Sequence, residues 1–318
     1  MKKFMKFCAI MAAILVVLGA ALAFTAGRFR GREVVSDIVD SVTGGRVHVN
    51  WSGWNIPWGV TFHDDWHFDL NTSNVYDKDY EIYRGDVTDF DIDGKFDQLD
   101  IELGGYIFET AVSPDNSFYL TTSNVDKFQC YVKKGVLHLT AVNSGVNISL
   151  GNITDRKITL YIPEEALLSK VELELGAGQV VIDDLSAAVV SLEVGAGQIQ
   201  ARNIQTGKLE ISVGAGQVEL PGMKVDELKV EIGMGELVGS GSIDKSADLE
   251  CSMGNLELTL TGSQKDFNYQ LEVAAGNLDL GSNSYSGLAT KQKILSPTAV
   301  KTMDIECSMG NVTISFEE

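Results

Sequence analysis

The chain of 318 residues is poor in the groups that most often do chemistry, with four histidines, four cysteines and 25 lysines and arginines against 44 aspartates and glutamates. All four histidines, His48, His63, His67 and His138, precede the regular part of the sequence, so no imidazole base is available within it. The shortage of basic residues excludes a nucleic-acid surface, which needs a positive stripe. There is no G-x-S-x-G, no P-loop and no dinucleotide fingerprint, and the Gly-Ala-Gly triplets follow strands but open no helix that would receive a phosphate. Ser242 and Lys245 satisfy S-x-x-K by count, yet they are expected in a linker without the companion motifs of penicilloyl-serine enzymes. These absences point to a protein that is not an enzyme.

Cysteine gives no disulfide framework. Cys8 lies inside an apolar run and not at its end, where a lipid-attachment cysteine belongs, and Cys130 has no evident partner. Cys251 and Cys307 take a core column; if Val273 supplies the rung between them, they stand about 9–10 Å apart and stay free.

What the chain has is a repeat. Gly178, Gly197, Gly216, Gly235 and Gly254 follow one another at nineteen residues, and Gly276 and Gly310 carry the same motif after longer gaps. Before each glycine, apolar and polar residues alternate, as in Leu173, Leu175 and Ala177 against Glu172, Glu174 and Gly176. After it the phase slips by one residue, so that Val180 and Ile182 are the apolar ones, and the chain must turn a corner. Glycine suits a corner because it lacks a Cβ and tolerates positive φ. A period near twenty built on β patterning predicts an all-β, parallel β-solenoid of stacked rungs, in which each rung buries its apolar face only against its neighbours.

Two outward columns follow from this stacking. Four residues before the key glycines stand Glu174, Glu193, Ser212, Glu231, Glu250, Glu272 and Glu306; like charges about 4.8 Å apart repel by about 0.9 kcal/mol per pair even in water. Divalent cations along this column, or lysines such as Lys229 beside it, would offset that cost. Just after the glycines come Gln179, Gln198, Gln217, Glu236, Asn255, Asn277 and Asn311, an amide ladder of the kind that bonds from rung to rung.

Upstream, the first 26 residues join Lys2, Lys3 and Lys6 to an uncharged run from Phe7 to Ala26. Residues 1–32 are expected to be an N-terminal transmembrane helix meeting the membrane through residues 7–26; Ala21-Leu22-Ala23 also permits a cleaved signal and secretion. Every acidic residue lies at or beyond Glu33. The remainder therefore has 19 basic residues (25 less the six before it) and a net charge of −25, which places it outside the cell. Residues 33–84 read as a juxtamembrane helix over 33–43 followed by a linker or cap holding Trp51, Trp54, Trp58 and Trp66, either a membrane-interface contact or a plug for the open end of the stack. Residues 85–318 form the solenoid, with a loop insertion at 281–303 that carries Lys291, Lys293 and Lys301.

Two further segments carry metal-ligand residue types. His63-Asp64-Asp65-Trp66-His67 lacks a closing ligand set. Asp89, Asp91, Asp93, Gly94, Asp97 and Asp100 match EF-hand loop positions apart from aspartate at the last, but their flanks read as strands, so calcium competes with a plain acidic turn.

The N-terminal membrane segment, the strand ending Leu160-Tyr161-Ile162-Pro163, and repeats such as VELELGAGQVVI and LEVGAGQIQA together resemble the bacterial adhesin-labelled β-strand-repeat family of unknown function, over residues 85 to 318. The resemblance implies a cell-envelope protein with a parallel β-solenoid outside the membrane, and it supplies no catalytic residues. The expected role is a non-enzymatic, membrane-anchored surface module with an unknown envelope ligand; the alternative is an envelope-stress accessory or sensor that regulates a membrane partner.

Overall fold

A computed structural model of the chain describes residues 76–142, 156–286 and 290–317, together with the backbone of strands Val47–Val49, His67–Leu70 and Gly145–Asn147. The expected anchor at 1–32, the expected helix at 33–43, the tryptophans and His63 lie outside the described residues, as does the side chain of His67. Among the described residues no helix is long and apolar enough to cross a membrane.

Two compact units are present. The smaller, Met1–Lys78 with Val142–Asn152, contains an antiparallel three-stranded sheet in which His67–Leu70 pairs with Val47–Val49 on one side and Gly145–Asn147 on the other. Within it the Tyr76 hydroxyl donates to the Val142 carbonyl at 3.1 Å.

The larger unit, Asp79–Ala141 with Ile153–Glu318, is the repeat domain. Each rung is two strands and two corners. The strand before the key glycine stacks in one parallel sheet, with Leu175 over Val194, Val194 over Val213 and Val213 over Ile232. The strand after it stacks in a second, where Val180 faces Ile199 and Ile199 faces Val218. Leucine, valine and isoleucine from both sheets make one core, with Leu175, Val194, Val180 and Ile199 all fully buried. Each such side chain is worth about 1.5–3 kcal/mol removed from water, and only the stack provides the burial.

The first corner is built by contact rather than by backbone sign. Of the seven key glycines only Gly178 has positive φ, at 128°. A Cβ on Gly216 would stand 2.4 Å from the Gly197 carbonyl oxygen, and one on Gly235 2.4 Å from that of Gly216. The rungs touch backbone to backbone there, closed by bonds such as Ala196 N–H to the Gly176 carbonyl at 2.9 Å. The inward phase also ends earlier than the sequence suggests: Ala196 and Ala215 face solvent, and Met253 and Met309 at the equivalent place are 49% and 63% exposed.

The second corner uses left-handed residues. Asp184, Asn203, Gly222 and Gly241 have φ of 55°, 54°, 79° and 143° in successive rungs. Asparagine and aspartate tolerate this region better than most residues, and here the Asn203 amide donates to Asp184 of the neighbouring rung at 2.8 Å. In two rungs the pairing between strands persists through this corner, giving single strands Gln217–Ile232 and Glu236–Cys251. Ser242 and Lys245 therefore sit in a strand and not in a linker; Lys245 Nζ is 2.7 Å from Asp226, a hydrogen-bonded pairing that favours the charged ammonium.

Residues 99–107 form a first rung, with Leu103 paired to Leu175 and Tyr106 to Gly178. At the far end the order of rungs departs from the order of the sequence. Lys301–Cys307 and Asn311–Glu317 lie against the Gly254 rung on one side and the Gly276 rung on the other. The last stretch of chain is thus inserted between two earlier rungs. The 281–303 segment is not only a solvated loop: Asn283–Ser286 and Thr290–Ile294 pair antiparallel with Asn277–Leu280 and Phe267–Val273 and cap the outermost rung.

Candidate functional site

The first sheet presents the carboxylate column in strict register. In spatial order it runs Glu102, Glu174, Glu193, Ser212, Glu231, Glu250, Glu306, Glu272, and ends on Lys291. Lysines offset the repulsion at particular rungs. Lys229 Nζ lies 2.7 Å from Glu231, and Lys291 Nζ 2.7 Å from Glu272. Glu250 bears the crowding: its carboxyl is held above the ordinary range, first by partial desolvation and then by Glu231, Asp248 and Glu306, with Lys229 opposing. Among the described residues no three His, Cys, Asp or Glu side chains converge in a way that would hold a metal ion.

The EF-hand-like aspartates are spread over structure that the sequence foreshadowed as strands. Asp91 ends strand Phe90–Asp91, Asp100 belongs to strand Gln98–Gly104, and Asp89, Asp93 and Asp97 are exposed. Asp100 is 3.1 Å from His138 Nδ1. Gly94 has its own structural reason, since φ is 127° and a Cβ there would lie 3.1 Å from the Val132 side chain.

The amide ladder occupies the second sheet. Gln217 donates to Glu236 at 3.0 Å, Asn311 to Asn255 at 3.0 Å and Asn277 to Asn311 at 3.0 Å. Each of these contacts uses one donor and one acceptor and leaves the remaining amide and carboxylate positions facing outward. Where the cap strand Asn283–Ser286 folds back beside the ladder, a groove of about 450 Å³ opens. Its walls are mainly polar, with Glu257, Asp279, Ser284, Ser286 and Thr313 beside the three asparagines, and Leu256 and Val312 add apolar surface. Ser284 Oγ donates to Asp279 at 2.5 Å, which fixes that carboxylate toward the cap.

Sequence reasoning found the ladder but missed the groove. Glu257, Thr313 and Asp279 are the next outward column, two residues beyond the ladder; they become neighbours only because Asn311 enters between Asn255 and Asn277. The available signal was the spacing of 34 between the last two glycines.

No curated protein matches the chain. Among solved structures, a candidate adhesin from Bacteroides fragilis is 14% identical, covering 74% of this chain and 97% of its own with a TM-score of 0.39. A candidate cell adhesion protein from Clostridium sporogenes is 13% identical, covering 74% and 98% with a TM-score of 0.32. A candidate lipid binding protein from Parabacteroides distasonis is 14% identical, covering 75% and 96% with a TM-score of 0.38. Residues 117–315 match the family described as Toastrack DUF4097, more than half of the chain, and the protein belongs to that family.

Proposed function

We propose that this protein is a non-enzymatic, membrane-anchored component of the cell envelope whose stacked β domain lies outside the membrane and binds a hydroxyl-rich envelope polymer. The observation that carries this reading is the groove over Asn255, Asn311 and Asn277. It offers amides, carboxylates and hydroxyls at a repeat of about 4.8 Å on a scaffold whose backbone is hydrogen-bonded from rung to rung. A rigid array of donors and acceptors suits a ligand that is itself a chain of donors and acceptors, because little ordering cost falls on the protein. Placement at the membrane rests on the apolar run from Phe7 to Ala26, and placement outside on the net charge of −25 over residues 33–318.

The test is co-sedimentation of the full chain, in detergent, with purified cell-wall polysaccharide and with peptidoglycan. Binding by the wild type, weakened at least tenfold by Asp279→Ala with Glu257→Ala, supports the reading. Absence of binding to either polymer, or equal binding by the double variant, removes it.

A further inference from the structure

Cys251 and Cys307 are brought together by the insertion of the last rung. They are Cα partners in neighbouring strands, not residues separated by Val273, which instead pairs on the far side of Cys307. Both side chains point into the core, at 2% and 0% exposure. Register partners in a sheet stand about 4.8 Å apart, within the roughly 4.4–6.8 Å that a disulfide spans between Cα atoms.

Each thiol is lodged over the corner glycine of the rung that follows it. A Cβ on Gly310 would come within 2.6 Å of Cys251 Sγ, and one on Gly276 within 2.5 Å of Cys307 Sγ. The two sulfurs therefore lean the same way along the stack, and Cys251 Sγ already leans toward the rung of Cys307. Rotation of Cys307 about χ1 turns its sulfur back toward Cys251. In the reduced state the thiols donate weakly to carbonyls, Cys251 to Gly254 and Cys307 to Gly310, each at 3.2 Å.

We propose that Cys251 and Cys307 form a reversible intramolecular disulfide that fastens the inserted rung to the Gly254 rung. The oxidant is a low-molecular-weight disulfide, R–S–S–R. One protein thiolate attacks it, forming a mixed disulfide and releasing R–S⁻; the second thiolate attacks the protein sulfur of that mixed disulfide and releases the other R–S⁻. Two protein thiols lose two protons and two electrons, and the oxidant becomes two thiols. Burial pushes both thiols up, Cys251 to about 11, so the closed stack is unreactive and exchange takes place as the last rung docks or transiently opens. The bond is a strained one, because side chains that leave parallel strands side by side keep their Cβ atoms about 4.8 Å apart, beyond the roughly 3.8 Å of a relaxed disulfide. Strained disulfides are the reducible kind. A lock on an out-of-order rung, open under reducing conditions and closed under oxidising ones, is what this placement provides.

The full chain in detergent, held in a series of oxidised to reduced glutathione ratios with mild denaturant, tests the proposal. Samples are unfolded in acid, alkylated and digested without reduction. The expected product is a linked peptide pair containing Cys251 and Cys307, lighter by two hydrogens than the reduced pair and lost on added dithiol. Amide exchange over 301–317 should slow at least tenfold in the oxidised form, while exchange over 191–216 stays unchanged. Alkylation of both thiols at every ratio overturns the proposal; so do glutathione adducts alone, links to Cys8 or Cys130 in place of this pair, or a bond that leaves exchange over 301–317 unaltered. Cys307→Ala gives the same reading from the other side, since it should abolish both the linked pair and the redox dependence of exchange.

Discussion

Asn311 donates its side-chain amide to Asn255 across 3.0 Å although 56 residues separate them, and it accepts from Asn277, which precedes it in the chain, at the same distance. These two bonds mark the insertion of the final rung and hold one wall of the polar groove.

Replacing Asn311 by alanine removes both ladder bonds. Net contributions near 0.5–1.5 kcal/mol per bond, reduced by solvent exposure, give an expected loss of about 1 kcal/mol. A guanidinium unfolding midpoint that falls with unchanged slope checks it. An unchanged midpoint would mean that the ladder decorates the stack without supporting it.

Gly216→Ala should destabilise by about 2–3 kcal/mol through overpacking, because the new Cβ meets the Gly197 carbonyl at 2.4 Å and Val194 Cγ1 at 2.5 Å. Gly135→Ala meets nothing within 4 Å and bears only the strain of φ at 82°, about 1 kcal/mol. Thermal unfolding of the two variants compares them directly. Equal costs would contradict close approach as the reason for the corner glycines.

Glu250 sets a pH dependence. Its folded pKa lies above the ordinary value of 4.5, so the folded protein favours the protonated carboxyl. The penalty is absent below the ordinary value, grows as pH rises through the raised one, and is full at neutral pH. Glu250→Gln is therefore expected to be more stable than the wild type at neutral pH, with the difference vanishing as pH falls to about 4. Denaturant midpoints measured along that interval decide it; a variant less stable at neutral pH would reverse the sign.

Lys229 relieves the same crowding from the other side. Lys229→Met leaves Glu231, Asp248 and Glu250 without the ammonium between them, with an expected cost of about 0.5–1 kcal/mol at low salt that shrinks as salt is added. A loss independent of ionic strength would assign the effect to packing of the lysine stem instead.

The stack itself was legible because its physics is local. Leu175, Val194 and Val213 alternate with Glu174, Glu193 and Ser212 in each strand, and nineteen residues bring like over like. The seven motifs are nearly identical, so nothing in Gly276 or Gly310 by itself says which lies nearer Gly254. The order depends on where the 281–303 segment folds, and that is a tertiary choice. The cysteine distance and the groove depended on the same choice, and both escaped sequence reasoning for that reason. At the corner the missing Cβ is the property that counts: backbone proximity at Gly197, Gly216 and Gly235 requires glycine, whereas positive φ, the other property that suits glycine there, is used only at Gly178 among the seven.

The most direct test of a stack with an inserted last rung is a pair of distances from one outward position. Spin labels introduced through an unnatural amino acid at Glu174 and Glu306, and separately at Glu174 and Glu272, span five and six rungs in the described order. At about 4.8 Å per rung the account predicts backbone separations of about 24 Å for the first pair and about 29 Å for the second. A shorter distance to Glu272 than to Glu306 would contradict it.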